Sequence, residues 1–175
     1  MGIDYQNLDD VTRKHMADEV ALGNHYMSPR LTAAGLAAWP GLLANAVARE
    51  NDDWLAEQLL AHGHFRSEES YTRNGKQFTR RINQESSAVQ LAEGEFNRIY
   101  VRALCIRATE AGQDHLVVYR GKAVAQPRPE SEAKIGTSVP VVVLLEALRK
   151  NDFVTIESAL GVPGGPNSGL TCRLP

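Results

Sequence analysis

Apolar positions in the first third of the chain recur at helical spacing. Val11, His15, Met16 and Val20 follow Leu8-Asp9-Asp10, whose carboxylates suit the positive end of a helix dipole, and Gly23-Asn24 ends the run. Tyr26-Met27-Ser28-Pro29-Arg30-Leu31 reads as an extended connector. Thr32 caps a second helix through an Ala/Leu-rich stretch to about Arg49. Pro40 lies inside that stretch and is expected to kink or split it, because proline lacks an amide donor and crowds the preceding turn. Asn51-Asp52-Asp53 caps a short third helix bearing Trp54, Leu55, Leu59 and Leu60, closed by Gly63. These segments predict a helical subdomain over residues 1–63.

From His64 the period changes. Residues 65–72 and 77–82 flank Asn74-Gly75, a dipeptide that tolerates positive φ at both positions and so signals a β-hairpin. The hairpin carries Arg66, Arg73, Lys76, Arg80 and Arg81 against Glu68 and Glu69, with few apolar residues, so it is not expected to be stable alone. It is either a mobile arm or a strand pair completed by a neighbour. Residues 86–111 turn helical again. Phe96, Ile99, Tyr100, Ala103, Leu104, Cys105, Ile106 and Ala108 cover most of the circumference, and Arg98 and Arg102 stand one turn apart on the remainder. A helix this apolar belongs in the middle of a fold. Gly112 stops it, and residues 115–120 read as a buried strand packed against it.

Beyond lies a loop, 126–132, stiffened by Pro127 and Pro129. From Ser138 to Lys150, Pro140, Leu144, Leu145 and Leu148 favour helix over the strand suggested by Val141, Val142 and Val143. Residues 161–169 are too rich in Gly and Pro for regular structure, and 170–174 are strand-like. The expected fold class is α+β. A helical part (1–63) precedes a core (64–160) in which the central helix packs on a small sheet and the charged β-hairpin (65–82) forms an arm. Residues 161–175 form an extended Gly/Pro-rich C-terminal tail whose strand could add to another sheet's edge.

Composition narrows the function. The 175 residues suit one domain with appendages, and the formal charge of −2 argues against a nucleic-acid coat or a disordered polyelectrolyte. That near-neutrality is a cancellation: residues 1–65 carry a net −5, residues 66–128 a net +4 and residues 129–175 a net −1. Such zoning can hold neighbouring copies in register. No run of 18 apolar residues occurs and the N-terminal stretch is polar, so neither a membrane span nor a signal peptide is expected. Two cysteines, Cys105 and Cys172, do not make a disulfide framework.

Candidate chemistry is sparse. His62 and His64 have no Cys pair or His-Glu-x-x-His spacing beside them, so no metal is expected, and no cofactor is implied. Cys105 sits among apolar residues, where a thiol acts as a small hydrophobe. Glu130 and Glu132 flank Ser131 near Arg128 and Arg120; in an extended loop alternate carboxylates share a side, which would suit acid–base chemistry, although a salt-bridged surface loop is the simpler account. Arg66, Tyr71, Arg73, Phe78 and Arg80 interleave in a way that can touch nucleic acid, but nearby acids oppose that and nucleic acid is not expected as a partner.

Two resemblances bear on this. Tyr119-Arg120-Gly121, Gly136-Thr137-Ser138 and Glu146 resemble the arginine, Ser-Thr-Ser and glutamate pattern of ADP-ribosyltransferases, which would give Arg120 and Ser138 a dinucleotide to hold and Glu146 the transfer. Gly136 replaces the first serine, however, and Glu146 follows Ser138 much too closely. Across most of the chain, Ala92-Glu93-Gly94-Glu95-Phe96-Asn97-Arg98, Tyr119-Arg120, Pro127-Arg128-Pro129-Glu130-Ser131-Glu132 and Gly165-Pro166-Asn167-Ser168-Gly169-Leu170 resemble small bacterial proteins of the kind carried by phages and prophages. That implies a virion or assembly component (head, decoration or connector), located in the virion or the bacterial cytoplasm, and carries over no catalytic residues. The expectation is a non-enzymatic protein that binds copies of itself or a larger protein scaffold, through Arg66, Arg73, Arg80, Arg81, Leu170, Cys172 and Leu174. The alternatives are a small nucleotide-modifying or hydrolytic enzyme using Arg120, Glu130, Ser131 and Glu132, or a nucleic-acid-binding regulator using the basic region 66–128.

Overall fold

The computed structural model describes residues 2–150, 155–162 and 168–175. Asp9 caps α1 (Asp10–Ala21) by accepting from the Thr12 amide, Thr32 caps α2 (Ala33–Arg49) through the Gly35 amide, and Asn51 caps α3 (Asp52–Ala61) through the Trp54 amide. The Thr32 and Asn51 caps read from the sequence each satisfy an otherwise orphaned helix amide, and Asp9, expected only to face the helix dipole, does the same. The cap expected at Ser138 is not formed, since Ser138 lies in a strand and Pro140 precedes the helix that begins at Val141. Pro40 does not split α2. It leaves the Leu36 carbonyl without its helical donor, but the helix runs on through it, and Trp39 on one side and Leu43, Ala46 and Val47 on the other are buried in the same core.

The hairpin strands β1 (Glu68–Arg73) and β2 (Lys76–Arg81) follow, then α4 (Gln84–Glu110), the longest helix. β3 (His115–Arg120) leads to a single turn, α5 (Pro129–Glu132), then β4 (Ser138–Pro140), α6 (Val141–Arg149), the short α7 (Ile156–Ala159) and β5 (Leu170–Arg173). The helix expected after Ser138 thus starts at Val141, its first three residues being taken by a strand. The fold is α+β: helices enclose α4 on one side, and a three-stranded antiparallel sheet of order β4-β3-β5 covers the other. α1 and α3 pack directly on α4, and Met16, Leu43, Val47, Leu55 and Leu59 share one apolar core with Phe96, Leu104, Leu116 and Leu144. The change of texture near residue 63 is therefore not a break in packing.

The expected free C-terminal arm is corrected. β5 completes the chain's own sheet, with Val118 opposite Cys172 and Arg120 opposite Leu170. Leu170 and Cys172 are fully buried, and Leu174 is half-buried with its amide donating to Asn7 Oδ1 at 2.9 Å. The Asn97 side chain locks the strand to α4, donating to the Leu170 carbonyl (2.8 Å) and accepting from the Thr171 hydroxyl (2.6 Å). The strand is spent on the chain's own sheet, as an edge strand beside β3, and so is not a loose arm. The Gly/Pro run 163–167 lies outside the described residues.

Gly35, buried near the start of α2, faces the His64 carbonyl so closely that a Cβ there would overlap it. Gly35→Ala is expected to destabilise the protein by about 1–3 kcal/mol through overpacking, outweighing alanine's helix preference of roughly 1 kcal/mol. A urea midpoint at or above the parent's would show that the 62–65 loop yields instead.

Candidate functional site

One face of α4 buries charge. Glu95, Arg98 and Arg102 follow at intervals of three and four, and all are essentially inaccessible to solvent. Arg98 Nη2 donates to Glu95 Oε1 at 2.9 Å, and Arg102 Nε donates to Glu19 Oε2 of α1 at 2.6 Å. Glu19 also receives Arg149 from α6. Burial pushes the Glu19 carboxyl up, but the Arg149 hydrogen bond and the Arg102 charge prevail and hold it below the usual carboxylate range. Both α4 guanidinium groups also donate to one backbone oxygen, that of Asn24, at 2.8 and 3.0 Å. Glu95 Oε1 accepts the Tyr26 amide at 3.1 Å, and Trp39 Nε1 donates to the Tyr26 carbonyl at 2.9 Å. The extended connector predicted over 26–31 is thus moored to the central helix by buried charge.

That connector roots the hairpin. Leu31 bridges to Phe65, and the Arg66 amide donates to the Arg30 carbonyl at 2.9 Å. Arg30 grips Glu69 of β1 with a bidentate pair at 2.9 and 3.0 Å and touches Ser87 Oγ of α4 at 3.4 Å. Arg80 of β2 takes the same carboxylate at 2.7 Å. Hydrogen bonds from Arg30 first, then Arg80, hold Glu69 below its usual range. Between arm and helix opens a pocket of 330 Å³, with Tyr26, Pro29 and Leu91 as its apolar wall and Arg30, Glu69 and Ser87 as its polar one.

Above the root the ribbon stands in solvent. β1 and β2 form a two-stranded sheet of their own, turned at Asn74 (φ 52°) and Gly75 (φ 72°) as the Asn-Gly pair demands. Apart from half-buried Glu69, every strand residue is exposed. The register sorts two faces. One carries Glu69/Arg80, then Tyr71/Phe78, then Arg73/Lys76 at the tip; the other carries Glu68/Arg81, Ser70/Thr79 and Thr72/Gln77. The Tyr71 and Phe78 rings stack at 5.6 Å, with the Arg80 guanidinium 5.3 Å from the Tyr71 centroid. These contacts stiffen an otherwise marginal hairpin.

Of the residues expected to interact, Arg66, Arg73, Arg80 and Arg81 lie on the arm, Arg66 at its foot with Nε on the Leu31 carbonyl. Leu170, Cys172 and Leu174 are elsewhere, in the sheet as described. The carboxylate constellation does not assemble as a loop. Pro129 starts a helical turn, which sends Glu130 and Glu132 to different sides; Glu132 pairs with Arg120, whose other nitrogen holds the Ser168 carbonyl at 2.6 Å, and Ser131 is buried. Ser138 pairs with Val117 on β3, and Glu146 is exposed on α6. Burial raises both thiols, that of Cys172 to about 12, which leaves them poor nucleophiles at neutral pH. His62 and His64 stack at 5.7 Å, and among the described residues no group of three His, Cys, Asp or Glu side chains could hold a metal ion. No described helix is long and apolar enough to cross a membrane.

Arg30, Glu69 and the pocket between arm and α4 are not evident from the sequence. It offered one usable signal, the Glu95-Arg98-Arg102 spacing on an otherwise apolar helix. In comparisons with known proteins, no family model, no curated protein and no solved structure matches the chain.

Two outcomes follow for this region. Glu19→Ala strips the buried Arg102 of its carboxylate and is expected to cost about 3–5 kcal/mol in chemical unfolding. The Arg30–Glu69 root has a pH signature. Because the folded Glu69 pKa lies below the unfolded one, its contribution is complete above the ordinary glutamate range and is lost as pH falls through the folded value. Amide exchange across 68–81 should therefore accelerate in acid beyond its intrinsic pH trend, and Glu69→Gln should abolish that pH dependence by making the arm equally labile at neutral pH.

Proposed function

We propose that this chain is a non-enzymatic assembly protein that docks its hairpin arm on another protein, either a copy of itself or a larger scaffold. In its most specific form, the reading is of a phage virion component of the head, decoration or connector kind. One observation carries it: a two-stranded ribbon, exposed on both faces and bearing a stacked Tyr71–Phe78 pair, is held rigidly at its root by Arg30 and Glu69. An isolated ribbon is marginal by itself, and exposed aromatic pairs are the kind of anchor that protein interfaces bury. Five basic against two acidic side chains over residues 66–82 favour an acidic partner surface and speed the encounter. The phage form is supported by the resemblance of the 92–98, 127–132 and 165–170 strings to phage and prophage proteins.

A photo-crosslinking residue at Gln77, exposed near the tip, tests the reading in cells that make the protein. The expected result is a discrete adduct with a protein chain, identified by mass, that disappears in Tyr71→Ser/Phe78→Ser. Adducts only with nucleic acid, or no adduct, would overturn it.

A further inference from the structure

Two apolar pairs stand uncovered at opposite ends of α4. Tyr71 and Phe78, 38% and 42% exposed, lie on the arm, whose second strand runs through Ile82 straight into the α4 cap at Asn83. Val142 and Val143, 72% and 61% exposed, open α6. That helix begins just past the other end of α4, where the Val141 amide donates to the Asp114 carbonyl at 3.0 Å. The 27 residues of α4 separate these ends by about 40 Å at helical rise. The ribbon, six residues per strand, reaches only about 20 Å. A copy cannot cover its own valines with its own arm.

We propose that the aromatic face of the arm seats on the Val142–Val143 face of α6 in a second copy, head to tail. This rests on the arm being the docking element. Charge and spacing support that occupant. On α6, Glu146 is exposed one turn beyond Val142, about 6 Å along the axis. On the arm, Arg73 and Lys76 stand two residues beyond Tyr71 and Phe78 on the same face, about 7 Å along the strand. Seating the rings over the valines brings the basic tip to Glu146 in the same register. The surface concerned is small, so a single contact is weak and reversible. Because donor and acceptor patches differ, the contact is heterologous, and repeating it builds an open chain or a closed ring.

Sedimentation of wild type, an arm variant (Tyr71→Ser/Phe78→Ser) and a patch variant (Val142→Ser/Val143→Ser) tests this. The patch variant replaces exposed side chains only and should melt like the parent. The arm variant loses the ring stack, so the body should melt like the parent while amide exchange across 68–81 checks that the ribbon is still formed. Wild-type mass should climb with concentration beyond a dimer, or to a fixed ring, while each variant alone stays monomeric. An equimolar mixture of the two should form dimers and stop there, since one intact arm then meets one intact patch. Glu146→Lys should weaken wild-type association roughly two- to fivefold. A wild type that is monomeric at every concentration, a mixture that fails to dimerise, or an unchanged Glu146→Lys would each overturn the proposal. If wild type is monomeric but Gln77 still crosslinks to a different protein, only this inference falls; if no protein adduct forms, the reading of the arm falls with it.

Discussion

Arg98 and Arg102 share one acceptor, the Asn24 carbonyl, and each has its own carboxylate, Glu95 and Glu19. Charges so thoroughly removed from water persist only when every one is paired, since an orphaned guanidinium in this setting is severely destabilising. That requirement bends the chain after α1 so that Asn24 and Tyr26 present backbone groups to α4, and it draws Arg149 of α6 to the other side of Glu19. Apolar packing alone would leave the connector free to slide, whereas charge pairing fixes its path residue by residue.

The same path carries order outward. Once Tyr26 is tied to Glu95, Pro29 and Arg30 arrive beside the hairpin, and the Arg30 fork fixes Glu69 and through it Arg80. The arm is therefore an extension of the core's electrostatics, since no side chain of β1 or β2 is itself fully buried. This separates it from a flexible loop. Its orientation is set by the chain's own contacts, so under the proposed docking role little ordering entropy would oppose binding.

Features legible in the sequence were those decided locally. The Asn74-Gly75 turn, the Thr32 and Asn51 caps, the acidic start of α1 and the apolar circumference of α4 depend on neighbours within a few positions. Decisions made at long range were not legible. Glu19 lies 83 positions from Arg102, and Arg30 lies 39 from Glu69, so no window of sequence links them. Periodicity also reports which residues share a face but not how deep the face lies, which is why Arg98 and Arg102 gave no sign of full burial. Residues 170–174 looked like a lendable strand because β3, their ladder partner, is some fifty positions upstream. Glu130 and Glu132 suggest a pair when Pro129 is taken to stiffen a loop, but Pro129 equally fits the first position of a helix, which is where it lies.

The bond from Thr171 to Asn97 spans 74 positions. At ordinary synthesis rates of about 5–20 residues per second, roughly 4–15 s separate the emergence of the two residues. Through that interval α4 exists without the strand that covers it, and the Asn97 amide waits in a half-built interior. The arm, encoded upstream and closed by a two-residue turn, is complete well before the sheet is. A newly made chain thus carries its exposed ribbon while its own body is still unfinished.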